Sequence, residues 1–277
     1  VNVNPLYTPR ELEHQLKDSG AQAIIIIENF ATTLEKVIAN TPVKHVVLCA
    51  MGDQLGLLKG ALVNYVVRNV KKMVPAYDLP GAVRFNEAIA QGTRGALKKM
   101  DIKPDDIALL QYTGGTTGVS RGAVLLHRNL VANLLQAQAW NAPALQPLPA
   151  DEPLVQLGAL PLHQLYGFTL VLLLGLHQGA CTVLVPNPQD TAGLLKLLAR
   201  QPVHCIAGVN TLFQRMAEHA DVDRVDWSLL RLAVGGATAV LLPGLILGLI
   251  VAFGYFGLSV VHRVVRARTP VAERAGM

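Results

Sequence analysis

The sequence predicts an α/β fold, on the strength of its periodicity, its strand character and its composition. Short β-branched runs alternate along the chain with stretches of helical apolar spacing, the pattern of strands and helices laid in layers. Some of the runs, such as Ala23–Ile27, are apolar without a break, as in parallel strands covered on both faces. Of the 277 residues, 51% are hydrophobic and 16% charged. That is enough apolar mass for a real core, and it excludes a disordered chain.

Taken in order, Thr8-Pro9-Arg10-Glu11 supplies a cap, a proline at the first helical position and a glutamate three residues after the cap. A helix is therefore expected up to Ser19, stopped by Gly20. A strand at Ala23–Ile27, a helix over 31–39 and a strand at His45–Cys49 follow. Between 52 and 104 the pattern loosens, with an amphipathic helix over 59–73 and a loop over 75–80. Alternation resumes with a strand over 107–112, a Gly/Thr-rich loop to Gly122 and a strand over 123–126. A helix over 129–140 and a Pro-rich linker over 143–153 come next. Strands over 155–160, 182–185, 205–208 and 232–234 are then separated by helices over 169–177, 191–199 and 211–219. There is no internal repeat.

A surplus of five positive charges suits an anionic ligand or a membrane surface. The basic residues are scattered and only 5% of the chain is aromatic, so no nucleic-acid partner is expected. Cys49, Cys181 and Cys205 lie far apart in apolar stretches, without ligand spacing. They read as buried, reduced thiols rather than as a zinc site or a disulfide framework. The opening at Val1, with no signal-peptide pattern before Asn4-Pro5, reads as mid-protein sequence.

Residues 239–261 carry no charge over 23 positions, about 34 Å as a helix. Pro243, Gly244, Gly248, Gly254 and Gly257 suit a membrane helix better than a soluble core. The run is therefore a candidate transmembrane or interfacial helix, followed by a basic tail over 262–277 with Arg263, Arg266 and Arg268. A tail anchor, an interfacial segment, an unrelated end and a soluble core helix all fit it. The arginines place the C-terminus in the cytoplasm, which would put the rest of the chain outside. With no export signal visible, the expectation is a cytoplasmic globular part, at or anchored in the inner membrane.

The most informative stretch is Thr113-Gly114-Gly115-Thr116-Thr117-Gly118-Val119-Ser120-Arg121-Gly122. Its glycines let the backbone approach a ligand and turn N–H groups toward an anion. Thr113, Thr116, Thr117 and Ser120 add hydroxyl donors, and Arg121 adds a fixed positive charge with forked donors. Together they describe a polyphosphate cradle. The loop lacks the Gly-x4-Gly-Lys spacing of a P-loop, and strands flank it on both sides. The alternative is a Gly/Thr-rich hairpin turn, against which its length counts.

Leu110-Gln111-Tyr112 with this loop, and then Ala123-Val124-Leu125-Leu126-His127-Arg128-Asn129, resemble the signature of the adenylate-forming enzymes. The form is that of bacterial long-chain fatty acyl-CoA synthetases. The run from Val3 to Leu12, Ala159-Leu160-Pro161-Leu162, the segment from Gly208 to Phe213 and Val234-Gly235-Gly236 extend the likeness over about residues 1–240. The resemblance implies layered α/β subdomains with mixed sheets, so that 1–240 would be a partial AMP-binding domain. It implies ATP, Mg²⁺, a long-chain fatty acid and CoA as the molecules handled, with the fatty carboxylate attacking the α-phosphate and the CoA thiol then displacing AMP. It implies that Tyr112 and Thr113 to Gly122 hold the ATP phosphates, and that Gly235 and Gly236 lie against adenine. His163, Gly208, Val209, Asn210, Thr211 and Phe213 would border the acyl tunnel.

Three departures matter. The family's Pro-Leu-Tyr-His pattern reads Pro161-Leu162-His163-Gln164 here, so His163 is either a relocated functional imidazole or a hydrogen-bonded histidine at a strand end. Arg121 stands where many relatives have Lys. The Tyr-Gly-x-Thr-Glu motif with its Mg²⁺-holding Glu, the ribose Asp and the late Lys are not in this sequence. No catalytic residue or metal ligand is therefore assigned, and the polypeptide alone is expected to be a ligase fragment with negligible activity. A membrane-anchored binding protein and a non-functional gene fragment are the alternatives. His127, His177, His204 and His219 read as structural or surface residues. Unpaired sheet edges and exposed apolar surface are expected in either case.

Overall fold

Thr8 begins the first helix as the sequence predicts. Its hydroxyl accepts from the Glu11 amide at 3.4 Å, and the Glu11 carboxylate accepts from the Thr8 amide at 2.8 Å, so two orphan donors are satisfied reciprocally. These bonds, that to the Thr8 backbone foremost, hold the Glu11 carboxyl below its usual range. Helix α1 (Pro9–Ser19) ends at Gly20, whose φ of 65° supplies the left-handed cap. The structure is a computed structural model and describes residues 1–113, 120–145 and 152–236. The chain divides into two compact units, Val1–Arg128 and the part from Asn129 onward.

In the first unit, β1 (Ala23–Ile27) and β2 (His45–Cys49) pair in parallel, with Ala23 opposite His45 and Ile27 opposite Cys49. A short β3 (Val83–Arg84) adds to the far side of β2, giving the order β1-β2-β3. Between them run α2 (Ala31–Glu35), α3 (Leu57–Tyr65) and, after β3, α4 (Phe85–Gly92). Leu12 and Leu16 of α1 meet Ile24, Ala31, Leu34, Val37, Val46 and Leu48 in one core. The unit closes with the antiparallel pair β4 (Ile107–Thr113) and β5 (Arg121–Leu126).

Glu28, just after β1, is almost wholly buried yet ionically partnered. Its carboxylate accepts from Arg68 Nε and Nη2, both at 2.8 Å, and from Arg84 Nη1 at 3.0 Å. This fork ties the end of β1 to the helical segment after α3 and to β3. The Glu28 bonds also raise the Arg68 pKa.

The second unit carries most of α5 (His127–Leu145) and a four-stranded sheet, all parallel, in the order β7-β6-β8-β9. Its strands are β6 (Val155–Gly158), β7 (Cys181–Leu184), β8 (Cys205–Gly208) and β9 (Leu232–Gly235). The crossovers are α6 (Leu165–Gly167), a π-helical stretch Phe168–Leu173, α7 (Leu174–His177), α8 (Thr191–Leu198) and α9 (Asn210–Glu218). Val155, Leu157, Ile206, Leu194, Leu195, Leu198, Leu212, Phe213 and Met216 form its core. Gln156 is buried in β6, and its amide donates to the Val171 carbonyl at 2.6 Å and to Thr182 Oγ1 at 2.7 Å. The π-helical turn supplies the first of those acceptors.

Several expectations need correction. Among the described residues no sheet is mixed: two are wholly parallel and one is an antiparallel pair. The helix expected over 31–39 stops at Glu35 and resumes as a 3₁₀ turn, Ile38–Asn40. The 59–73 helix starts at Leu57, changes to π-helix at Val66 and ends as such at Val70. α5 runs through Pro143, so the linker begins later than proposed. The thiols are free, but Cys181 on the edge strand β7 is exposed, and Cys49 and Cys205 are half-buried. Burial pushes the Cys205 thiol up to about 12. Among the described residues no helix is long and apolar enough to cross a membrane; the 239–261 run and the basic tail lie outside them.

Replacing Glu28 with Ala removes the shared acceptor of two arginines. The arginines are themselves about half exposed and can recover water, so the cost belongs at the low end for a buried pair, about 3 kcal/mol. Urea unfolding of the variant should show a lower midpoint with an unchanged slope.

Candidate functional site

The predicted phosphate loop leaves β4 and returns on β5, and the structure shows how those two strands are held. Thr113 pairs with Arg121 and Tyr112 with Gly122. Tyr112 is buried and its ring lies across from Gly122, where a Cβ would come within 2.9 Å of the ring carbon Cζ. Gly122 is thus required by its neighbour's size as well as by the loop. The Tyr112 hydroxyl donates to Asp18 Oδ2 at 2.5 Å. His14 Nε2 lies 2.8 Å from the Ser120 carbonyl. Both partners sit on α1, one turn apart, so that one helix grips the hairpin just before and just after the loop. Arg121 opens β5 with an exposed side chain. Gly114, Gly115, Thr116, Thr117, Gly118 and Val119 lie outside the described residues.

A second group of predicted residues gathers in the second unit, at the carboxyl ends of parallel strands, where α/β sheets present ligands. β6, β8 and β9 end on Gly158, Gly208 and Gly235. Gly208 and Gly235 are register partners, and the Gly236 amide donates to the Gly208 carbonyl at 3.2 Å. Gly208 is packed tightly, since a Cβ there would meet Leu212 at 2.8 Å and Phe213 at 3.2 Å. Gly235 is exposed, with only Phe213 near it at 3.9 Å. Val209 is half-buried and caps α9, Asn210 is buried in its first turn and Thr211 is exposed. Leu212 and Phe213 turn into the core. Phe213 therefore lies between the glycine ends of β8 and β9.

His163 sits in the turn between β6 and α6, half-buried, and makes no side-chain hydrogen bond to another described residue. Burial lowers its pKa and favours the neutral imidazole. The expectation of a hydrogen-bonded histidine at a strand end does not hold there. Three other histidines have ordinary partners: His204 Nδ1 accepts from the Val155 amide at 3.0 Å, His177 meets Gln138 at 3.0 Å and His219 Nδ1 accepts from the Asp221 amide at 3.1 Å.

One residue of this edge escaped the sequence reading. Tyr166 in α6 donates to the Val234 carbonyl at 3.1 Å and sits 3.5 Å from the Gly208 carbonyl. Its ring lies against Gly236, where a Cβ would be 3.1 Å away. Tyr166 thus bolts the ends of β8 and β9 to the helix after β6. The available signal is a lone aromatic hydroxyl between Leu165 and Gly167 in a largely apolar stretch. No three His, Cys, Asp or Glu side chains gather as a metal site among the described residues.

Parallel sheets covered by crossover helices, with an antiparallel hairpin framing a Gly/Thr-rich loop, define an α/β protein of the adenylate-forming architecture. The chain belongs to the AMP-binding enzyme family, which it matches over residues 1–245. Curated relatives include the long-chain-fatty-acid–CoA ligases of Escherichia coli O157:H7 and Yersinia pestis, 50% and 51% identical over 240 residues. Each alignment covers 87% of this chain and 42% of the relative. The chain is thus a partial homologue, spanning under half the length of those ligases. An anthranilate CoA ligase in complex with anthranoyl-AMP shares the fold with a TM-score of 0.63 at 22% identity, over 86% of this chain and 40% of that one. ATP-bound MatB from Rhodopseudomonas palustris does so at 0.56 and 21%, over 87% and 40%.

Two phenols at these sites should titrate late. Tyr112 is pushed up to about 12 by burial first and by Asp18 second, and Tyr166 to about 12 by burial. The unfolded phenols ionise near 10, so the unfolded chain loses these protons first. The stability both contribute is therefore complete below pH 10 and is lost as pH rises through about 12. Phenolate absorbance should show two late tyrosines, one fewer in Tyr166→Phe. That variant should also be about 1 kcal/mol less stable, having lost the hydroxyl's bond to the Val234 carbonyl.

Proposed function

We propose that this chain supplies the nucleotide and acyl contacts of an acid–thiol ligase of the long-chain fatty acid class, without completing the active site. The observation that carries the reading is the 50% identity over 240 residues to long-chain-fatty-acid–CoA ligases. The gripped hairpin and the glycine-ended strands support it. In the reading, Tyr112, Thr113 and the loop through Gly122 receive the β- and γ-phosphates of ATP, with Arg121 as the fixed cation. Gly235 and Gly236 border adenine, because glycine puts no side chain where it would collide with a flat base. His163 and the Gly208 to Phe213 segment border the acyl chain, a role suited to a neutral imidazole. Residues 1–240 form the partial AMP-binding domain.

The full reaction joins the fatty carboxylate oxygen to the α-phosphorus as the bond to pyrophosphate breaks. The CoA sulfur, losing its proton, then attacks the acyl carbon and releases AMP. The loop's part is electrostatic: it stabilises charge developing on the departing pyrophosphate. Residues 1–277 alone bind nucleotide weakly and do not turn over.

Calorimetric titration of the folded chain with ATP should give a dissociation constant of millimolar order, weakened about five-fold by Arg121→Ala, the loss of roughly 1 kcal/mol of phosphate contact. Assays with fatty acid, ATP and CoA should release no AMP above background. Absence of heat at millimolar ATP would remove the nucleotide reading.

A further inference from the structure

Two strands alone make a marginal hairpin, and among the described residues β4 and β5 pair only with each other. What fastens them to the rest of the first unit therefore decides where Thr113 and Arg121 stand. At the end away from the loop the chain closes on itself: the Asp106 and Pro104 carbonyls accept from the amides of His127 and Arg128 at 3.1 and 3.0 Å. At the loop end the fastening is to α1, through Asp18 on the Tyr112 hydroxyl and His14 on the Ser120 carbonyl.

Helix α1 is a firm anchor. It is capped at both ends, and Leu12 and Leu16 fix it in the core. His14 and Asp18, four residues apart, share another face. Neither belongs to that core, since His14 is half-buried and Asp18 exposed. The two bonds fix directions as well as positions. A trans peptide is planar, so a Ser120 carbonyl turned toward α1 turns the Arg121 amide away from it. The Tyr112 ring is held by its hydroxyl on one side and has Gly122 across from it, which sets the strand just before Thr113. Asp18 also brings a negative charge close to where an anion is expected. Charge alone would disfavour it there, so its bond to Tyr112 is the feature that favours a carboxylate.

We propose that His14 and Asp18 are positioning residues of the polyphosphate site, holding Tyr112 and Ser120 in the arrangement that receives the phosphates. Neither touches the nucleotide. The inference rests on the nucleotide reading above and adds α1 to that site.

The test is calorimetric titration of the whole 277-residue chain with ATP, inorganic tripolyphosphate and AMP. Asp18→Ala and His14→Leu should each weaken ATP and tripolyphosphate about fivefold, because part of the binding energy is then needed to order the strand ends. AMP, without the β- and γ-phosphates, should bind as before. Asp18→Asn keeps an acceptor for the Tyr112 hydroxyl, and His14→Gln keeps a donor the same number of bonds from Cα. Both should stay within about twofold of the unmodified chain. All four variants should fold, as circular dichroism would show, because neither side chain is in the core. Four results would overturn the proposal. An equal loss for AMP would mean general loosening. Tighter ATP binding by Asp18→Ala would leave Asp18 acting through its charge alone. Undiminished phosphate affinity in both truncations would remove the positioning role and leave the nucleotide reading intact. No binding of ATP or tripolyphosphate by the unmodified chain would remove both.

Discussion

Neighbouring parallel strands cannot be joined by a tight turn, so each pair needs a crossover that covers a face of the sheet. Most features of this chain follow from that constraint. The crossovers cover the central strands, which is why Leu157 and Ile206 are almost inaccessible. The same constraint brings the carboxyl ends of β6, β8 and β9 to one edge, where the chain turns into its helices. Side chains there would obstruct whatever approaches, and each of these strands ends on glycine.

Three polar groups inside fasten one element to another. Glu28 meets two arginines at the end of β1, Gln156 takes up a π-helical carbonyl, and Tyr166 takes up a carbonyl at the end of β9. None is an isolated buried charge, so each acts as a fastener rather than a strain. α3 is the exception on its outer side. As the crossover from β2 toward β3 it has an inner face thinned to glycine, Asn64 and Val67, and its bulky apolar side chains are on the outside.

Much of this was legible in the sequence, for reasons specific to each residue. The capping box at Thr8, the stop at Gly20 and the strands Ala23–Ile27, His45–Cys49 and Cys205–Gly208 depend on local chemistry and short, largely apolar runs. β3 was not legible, because two residues carry no periodicity and Val83 is a strand residue only through its pairing with Val47. α4 was lost with it, having no side-chain cap to announce it. Cys181 looked buried because its neighbours are apolar, but an edge strand gives half of such a run to solvent. At the candidate site the glycines were readable, since their absence of side chain is itself the signal. Tyr166 was not, because its role is to reach carbonyls 42 and 68 positions away.

That long reach also explains why two separate stretches of family likeness belong together. The run from Val3 to Leu12 leads into α1, and the Gly/Thr loop comes about a hundred residues later, with nothing in the sequence between to connect them. The structure joins them through Asp18 on Tyr112 and His14 on Ser120, contacts spanning 94 and 106 positions. A carbonyl oxygen only accepts, so the His14 bond requires a proton on Nε2. Tyr112 in turn needs Gly122 across the strand, or its ring could not lie where Asp18 reaches it. One helix, one aromatic ring and one glycine thus fix where β4 ends and β5 begins. A backbone cradle for phosphate depends on its two ends being held before any ligand arrives, because amides that must first be ordered give up much of what they gain on binding.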